Sequence, residues 1–135
     1  MATYVKFQPF VEHLAEKVHN LGSDQLVVAL TNTAPNATDA TLSQITEISY
    51  TNLSSRNITT SASAQSSGTY KLTLTDLVLT ASGSVGPFRY VVIYNDTAAS
   101  DQLIAYYDYT SSITLLTGET LTINFDDSNG FLQIA

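Results

Sequence analysis

Residues 70–80 read YKLTLTDLVLT, with Leu72 and Leu74 on one face and Lys71, Thr73 and Thr75 on the other. Apolar and polar residues that alternate this way belong to a pleated strand with one buried face. At Asp76–Leu77 the phase changes, which predicts a bulge or a bend between two sheets. Outward from this stretch the same period recurs. Residues 88–95 (FRYVVIYN) are apolar on both faces, as in a central strand. Residues 103–109 (LIAYYDY) predict another strand. Residues 113–116, a turn at Thr117–Gly118 and residues 120–125 (TLTINF) predict a hairpin-like pair. The turn DDSNG (126–130) leads to a closing strand at 131–134.

On the N-terminal side, residues 25–31 (QLVVALT) read as a strand with both faces partly buried, followed by a long loop at 32–44. Residues 45–50 (ITEISY) alternate without a clear inward face, and residues 53–67 hold a short strand near 57–61 and a polar connection. About eight short strands at regular spacing are the pattern of a sandwich or jelly roll. One clear helix precedes them. Phe10, Val11, Leu14, Val18 and Leu21 share a face over residues 9–21, Pro9 suits the first helical position, and Gly22 suits the stop. His19 would then lie in the last turn. The expected fold is mainly β: a jelly-roll-like antiparallel β-sandwich with one N-terminal amphipathic helix. It forms a single domain over 1–135, with 1–22 as a helical arm and 23–135 as the sandwich.

Composition narrows the function. The chain has 135 residues, 44% hydrophobic and 13% charged, a core-forming composition rather than a disordered one. Its net charge is −7 with five basic residues, all at or before Arg89. No basic patch is available for nucleic acid, and an anionic membrane would repel the chain. The acidic stretch after Arg89 reads as a solvated surface or a face toward a basic partner. With no cysteine, disulfides and thiolate chemistry are excluded. MATYVKFQPF lacks the apolar core of a signal peptide, and no apolar run is long enough to span a bilayer, so synthesis in a cytoplasm is expected.

The chemistry-bearing residues form no recognisable site. His13 and His19 would point about 240° apart on a helix, and no HExxH or GxSxG pattern is present. Asp126, Asp127 and Asn129 before Gly130 match a turn better than a calcium loop. Tyr90, Tyr94, Tyr106, Tyr107 and Tyr109 offer either cross-strand packing or an aromatic platform for sugar. No enzymatic activity, cofactor or metal is expected.

The chain also resembles a known family. The run YVKFQPFVEHLAEKVHNLGSDQLVVALTN (4–32), the Thr33–Ala34–Pro35 segment, SGTYKL and GPFRYVVIYND within 67–96, and the closing 118–134 stretch carry the likeness almost end to end. They are similar to the cement, or capsid decoration, proteins of tailed bacteriophages, which bind outside an HK97-like shell. The resemblance implies a jelly-roll-like fold, no catalysis, the major capsid protein and further copies of the chain as partners, and a place on the capsid exterior. A dimer is favoured over a trimer. The expected contacts are the arm at 4–21 and the loop at 32–44, with Tyr4, Phe7, Phe10, Leu14 and Pro35 as docking residues. A tail or fibre component of the same virion and a carbohydrate-binding β-sandwich are the alternatives.

Overall fold

The computed structural model describes residues 2–135. Ten strands and one α-helix form among them: β1 (Thr3–Lys6), α1 (Pro9–Ala15), β2 (Leu26–Thr31), β3 (Asn57–Ile58), β4 (Thr60–Ser66), β5 (Thr69–Leu74), β6 (Leu77–Thr80), β7 (Val85–Asn95), β8 (Leu103–Leu115), β9 (Thr120–Ile123) and β10 (Leu132–Ile134). A five-stranded sheet has the order β1-β8-β7-β2-β3. Facing strands form β10-β5-β4 and the pair β6-β9. Among the described residues, the strands pair antiparallel throughout. The pairings nest: β1 with β8, β2 with β7, and β4 with β5. A bridge from Leu53 to Ala81, just past β6, fills the remaining level. Nesting of this kind is the jelly-roll arrangement of a long hairpin folded over on itself.

The central strands show why residues 26–30 and 91–94 are apolar throughout. Leu26, Val28, Leu30, Val91 and Ile93 face the main core, with Leu72, Leu74, Leu79 and Ile123 from the facing strands and Phe125 from just past β9. Val27, Ala29, Val92 and Tyr94 point the other way, into a second core. Alternation across a strand sends successive side chains to opposite faces, so both layers need apolar partners. Phe7, Leu42 and Ile45 supply them. The loop at 32–44 is therefore a lid over its own sheet. It is tied down by Gln8 N–H to Ala37 O (2.8 Å), Leu103 N–H to Ala40 O and Leu42 N–H to Asp101 O (3.0 Å each).

The phase change at Asp76–Leu77 is a bend from one small sheet to the next on the facing side: β5 pairs with β4 and β10, whereas β6 pairs with β9. Asp76 fixes the corner by accepting a hydrogen bond from the Phe125 N–H at 2.9 Å.

Several local expectations need correction. The helix stops at Ala15 instead of Leu21. Val18 N–H bonds to His13 O at 2.9 Å and Lys17 N–H to Leu14 O at 3.4 Å. With Lys17 at φ 70°, this is a Schellman termination in which a lysine occupies the left-handed position usually given to glycine. Within the expected helical arm, Thr3–Lys6 form an edge strand of the five-stranded sheet, paired with β8. Residues 45–50 make no strand; Ile48 N–H reaches Leu30 O, and the Tyr50 hydroxyl accepts the Leu30 N–H at 2.9 Å. A side chain thus takes the place of a ladder bond. The expected hairpin of 113–116 with 120–125 is absent too, because 113–115 complete β8 and β9 pairs with β6.

Candidate interaction surface

β1, α1 and β10 meet on one side of the sandwich. The Phe7 N–H bonds to Ile104 O at 3.0 Å, and the Phe10 N–H bonds back to Phe7 O at 3.3 Å, which turns the chain from strand into helix. Phe10 is directed inward and is buried. Its neighbour Val11 lies about 100° around the helix and is 52% exposed. Ile134, on the closing strand, is 46% exposed.

Together Lys6, Phe10, Val11, Leu14, Leu132 and Ile134 line a concavity of about 340 Å³. It shares Leu14 and Ile134 with a larger one of about 610 Å³ that runs past His19, Asp24 and Tyr70. On its other flank it shares Leu132 and Gln133 with one of about 460 Å³ beside Tyr4 and Phe131. The result is a continuous furrow with an apolar floor and polar ends. Solvated apolar surface of this kind is where a protein partner gains most by excluding water.

The expected docking residues divide on this surface. Tyr4 borders the furrow at 38% exposure, with its ring edge-on to Tyr107 and Phe131 at 5.6 Å each. Leu14 lines two of its concavities. Phe7 and Phe10 are 0% and 2% exposed, so these two belong to the chain's own interior and are corrected as surface anchors. Pro35 is half-buried in the loop and lines none of the three concavities. Val11, expected on the shared apolar face of the helix and within the arm at 4–21, is exposed instead of buried, and Ile134 lay outside the expected contacts. The signal for Val11 was its place directly after Phe10, since two adjacent helical residues cannot both face a narrow core. No comparable signal marked Ile134.

Beneath the larger concavity lies a polar knot. Asn95 Oδ1 accepts the N–H groups of Thr97 (3.0 Å) and Ala98 (3.2 Å), which fixes the amide orientation. Its Nδ2 therefore donates to Asp24 Oδ2 (2.6 Å) and to His19 Nδ1 (2.9 Å). His19 must accept at Nδ1, so its proton sits on Nε2, which has no partner. Burial, with a smaller contribution from His13, pushes the His19 pKa down to about 4 despite the opposing effect of Asp24. His19 is neutral at pH 7.

The other candidates resolve as structure. Tyr94 and half-buried Tyr106 belong to the second core, half-buried Tyr107 and Tyr109 pack against the main core, and buried Tyr90 lies edge-on to Tyr106 at 6.2 Å. Asp126 accepts from the Asn129 backbone (2.9 Å) and side chain (3.0 Å), which caps the DDSNG turn and holds its carboxyl below the usual range. Arg89 and Asp108 form a bidentate pair at 2.8 and 3.0 Å. Among the described residues, no group of three or more His, Cys, Asp or Glu is placed to hold a metal ion. No described helix is long and apolar enough to cross a membrane. Compared with known protein families, curated proteins and solved structures, the chain matches none.

Proposed function

We propose that the protein is a capsid decoration protein, which attaches to the outside of an HK97-like phage shell as a homo-oligomer and stabilises it. The observation that carries this reading is the apolar furrow bounded by Tyr4, Val11, Leu14 and Ile134, set on a doubly cored sandwich. The likeness of residues 4–32, 67–96 and 118–134 to cement proteins points to the same role. The mechanism is linkage. A protein that binds the mature lattice and not its disassembled subunits stabilises that lattice in proportion to its occupancy. An oligomer that bridges several capsid subunits gains further from effective concentration. A stable contact needs on the order of 1,200–2,000 Å² in total, so the furrow would form the centre of the interface and its polar margins the rim.

Val11 and Ile134 are exposed, so replacing them leaves the core intact. The double variant Val11→Asp/Ile134→Asp is expected to fold as the native chain does by circular dichroism, yet to lose at least tenfold in affinity for capsids stripped of the protein. Co-sedimentation of labelled protein with such particles measures this. Undiminished binding by the folded variant would remove the furrow from the interface.

A further inference from the structure

We propose that β4 is a self-complementary edge through which two copies of this chain join antiparallel about a two-fold axis, extending β10-β5-β4 into one six-stranded sheet. β4 lies at the edge of its sheet and spans seven residues, TSASAQS. It is the longest of the edge strands: β1 has four residues, β3 two and β10 three. Ser61 to Ser66 are exposed on both faces of the strand.

The outward hydrogen-bonding groups follow from the turn. Ser67 (φ 52°) and Gly68 (φ 83°) form a two-residue loop with both φ positive, the type I′ geometry of a tight hairpin. Such a loop closes on a bonded pair, here Ser66 with Thr69, and bonded pairs then alternate along the ladder. Ala64 and Ala62 bond to β5, while Ser63 and Gln65 turn their N–H and C=O groups away from it. Among the described residues, no backbone bond outside the ladder uses those outward groups.

Natural sheets blunt such an edge with charge, proline or shortness. β4 has none of these three; its one irregularity, a bulge between Thr60 and Ala62, lies at the start of the strand and leaves Ala62 to Ser66 in regular register. Residues 57–70 contain no charged side chain and no proline, in a chain of net charge −7. No like charges meet when two copies approach along this edge. The occupant that fits is a second copy, because it offers an equal run of outward groups and equally small Ser and Ala side chains. A contact that uses the same patch twice is isologous and closes as a dimer, so it does not grow into a fibre. The inference deepens the oligomer in the reading above. It concerns the isolated protein, so its failure would leave capsid attachment standing, and failure of capsid attachment would leave the dimer standing.

The test is sedimentation equilibrium of the full chain, with hydrogen exchange read at β4. The native protein is expected at twice 14.6 kDa, with the Ser63 and Gln65 amides protected. Ser63→Pro removes an outward donor and spares the β5 ladder. Ala62→Lys/Ala64→Lys instead places like charges across the two-fold axis. Both are expected at the monomer mass with native circular dichroism, whereas Ser63→Ala stays dimeric although its bond to the Tyr70 hydroxyl is lost. A native chain that remains monomeric at the highest attainable concentration would overturn the proposal. So would folded Pro and Lys variants that remain dimers, or β4 amides protected only after capsids are added, which would assign the edge to another chain.

Discussion

Phe7→Ala is expected to destabilise the protein by about 3–5 kcal/mol, the range for removing a large aromatic side chain from a packed core. Phe7 is 0% exposed and packs with Val27, Ala29, Val92, Tyr94 and Leu103 beneath the loop lid. Its ring lies 5.2 Å from that of Tyr106. The second core is the smaller of the two, so few neighbours can move into the space left behind. Urea denaturation followed by circular dichroism measures the change as a lower midpoint at unchanged slope. Val11→Ala, at an exposed position, is the matched control and should shift stability by no more than about 0.5 kcal/mol. A Phe7→Ala protein as stable as the native chain would mean that the second core does not form, and the N-terminal segment would again be free to dock elsewhere. Deleting residues 1–8 removes both β1 and Phe7, so truncation reports on folding before it reports on binding.

Acidification from pH 7 to pH 4 is expected to remove up to about 3 kcal/mol through His19 alone. The folded pKa of His19 is pushed down to about 4, against 6.5 for a free histidine. Between those values the unfolded chain binds the proton and the folded chain does not. The contribution is therefore complete above pH 6.5 and declines as pH falls toward 4. The main cause is burial of the ring, and the Asn95 amide that donates to Nδ1 fixes the neutral tautomer. Asp24 is the one acidic neighbour that opposes the shift, and His13 adds to it. Thermal melts of native protein and His19→Gln across pH 4–7 check this. The native midpoint should fall with pH and the variant's should be nearly flat over the same window. Parallel curves would show that His19 does not set the dependence. Asp108, held below the usual carboxylate range by Arg89, contributes only at lower pH.

The architecture was legible wherever period-two patterning met an unambiguous face. Residues 70–80 disclosed both β5 and the bend after Asp76, and residues 88–95 disclosed the central strand. What patterning could not disclose was the identity of partners. Residues 45–50 alternate like a strand, yet the tyrosine hydroxyl and the Ile48 N–H take the bonding groups beside Leu30 without forming a ladder. The helix ends six residues before its apolar spacing predicts, because Val18 and Leu21 keep that spacing while a left-handed Lys17 ends the helix. β4 was read short because Ser and Ala have weak strand preference, and pairing with β5 supplies what the residues alone do not.

The candidate surface was half legible for a related reason. An aromatic N-terminal segment announces burial, but sequence does not say whether the burying surface belongs to the same chain. For Phe7 and Phe10 it does; for Tyr4 and Leu14 the side chains stay at the furrow. Ile134 reaches that furrow through the pairing of β10 with β5, a contact between residues more than sixty positions apart.

Central to this account is attachment to the outside of the shell, and an electron cryomicroscopy map of the parent particle tests it most directly. Density matching the sandwich should occur on the outer capsid surface at capsomer junctions, with α1 and β10 facing the major capsid protein and β4 paired with a second copy. Density confined to the tail or its fibres, with a bare capsid exterior, would contradict it.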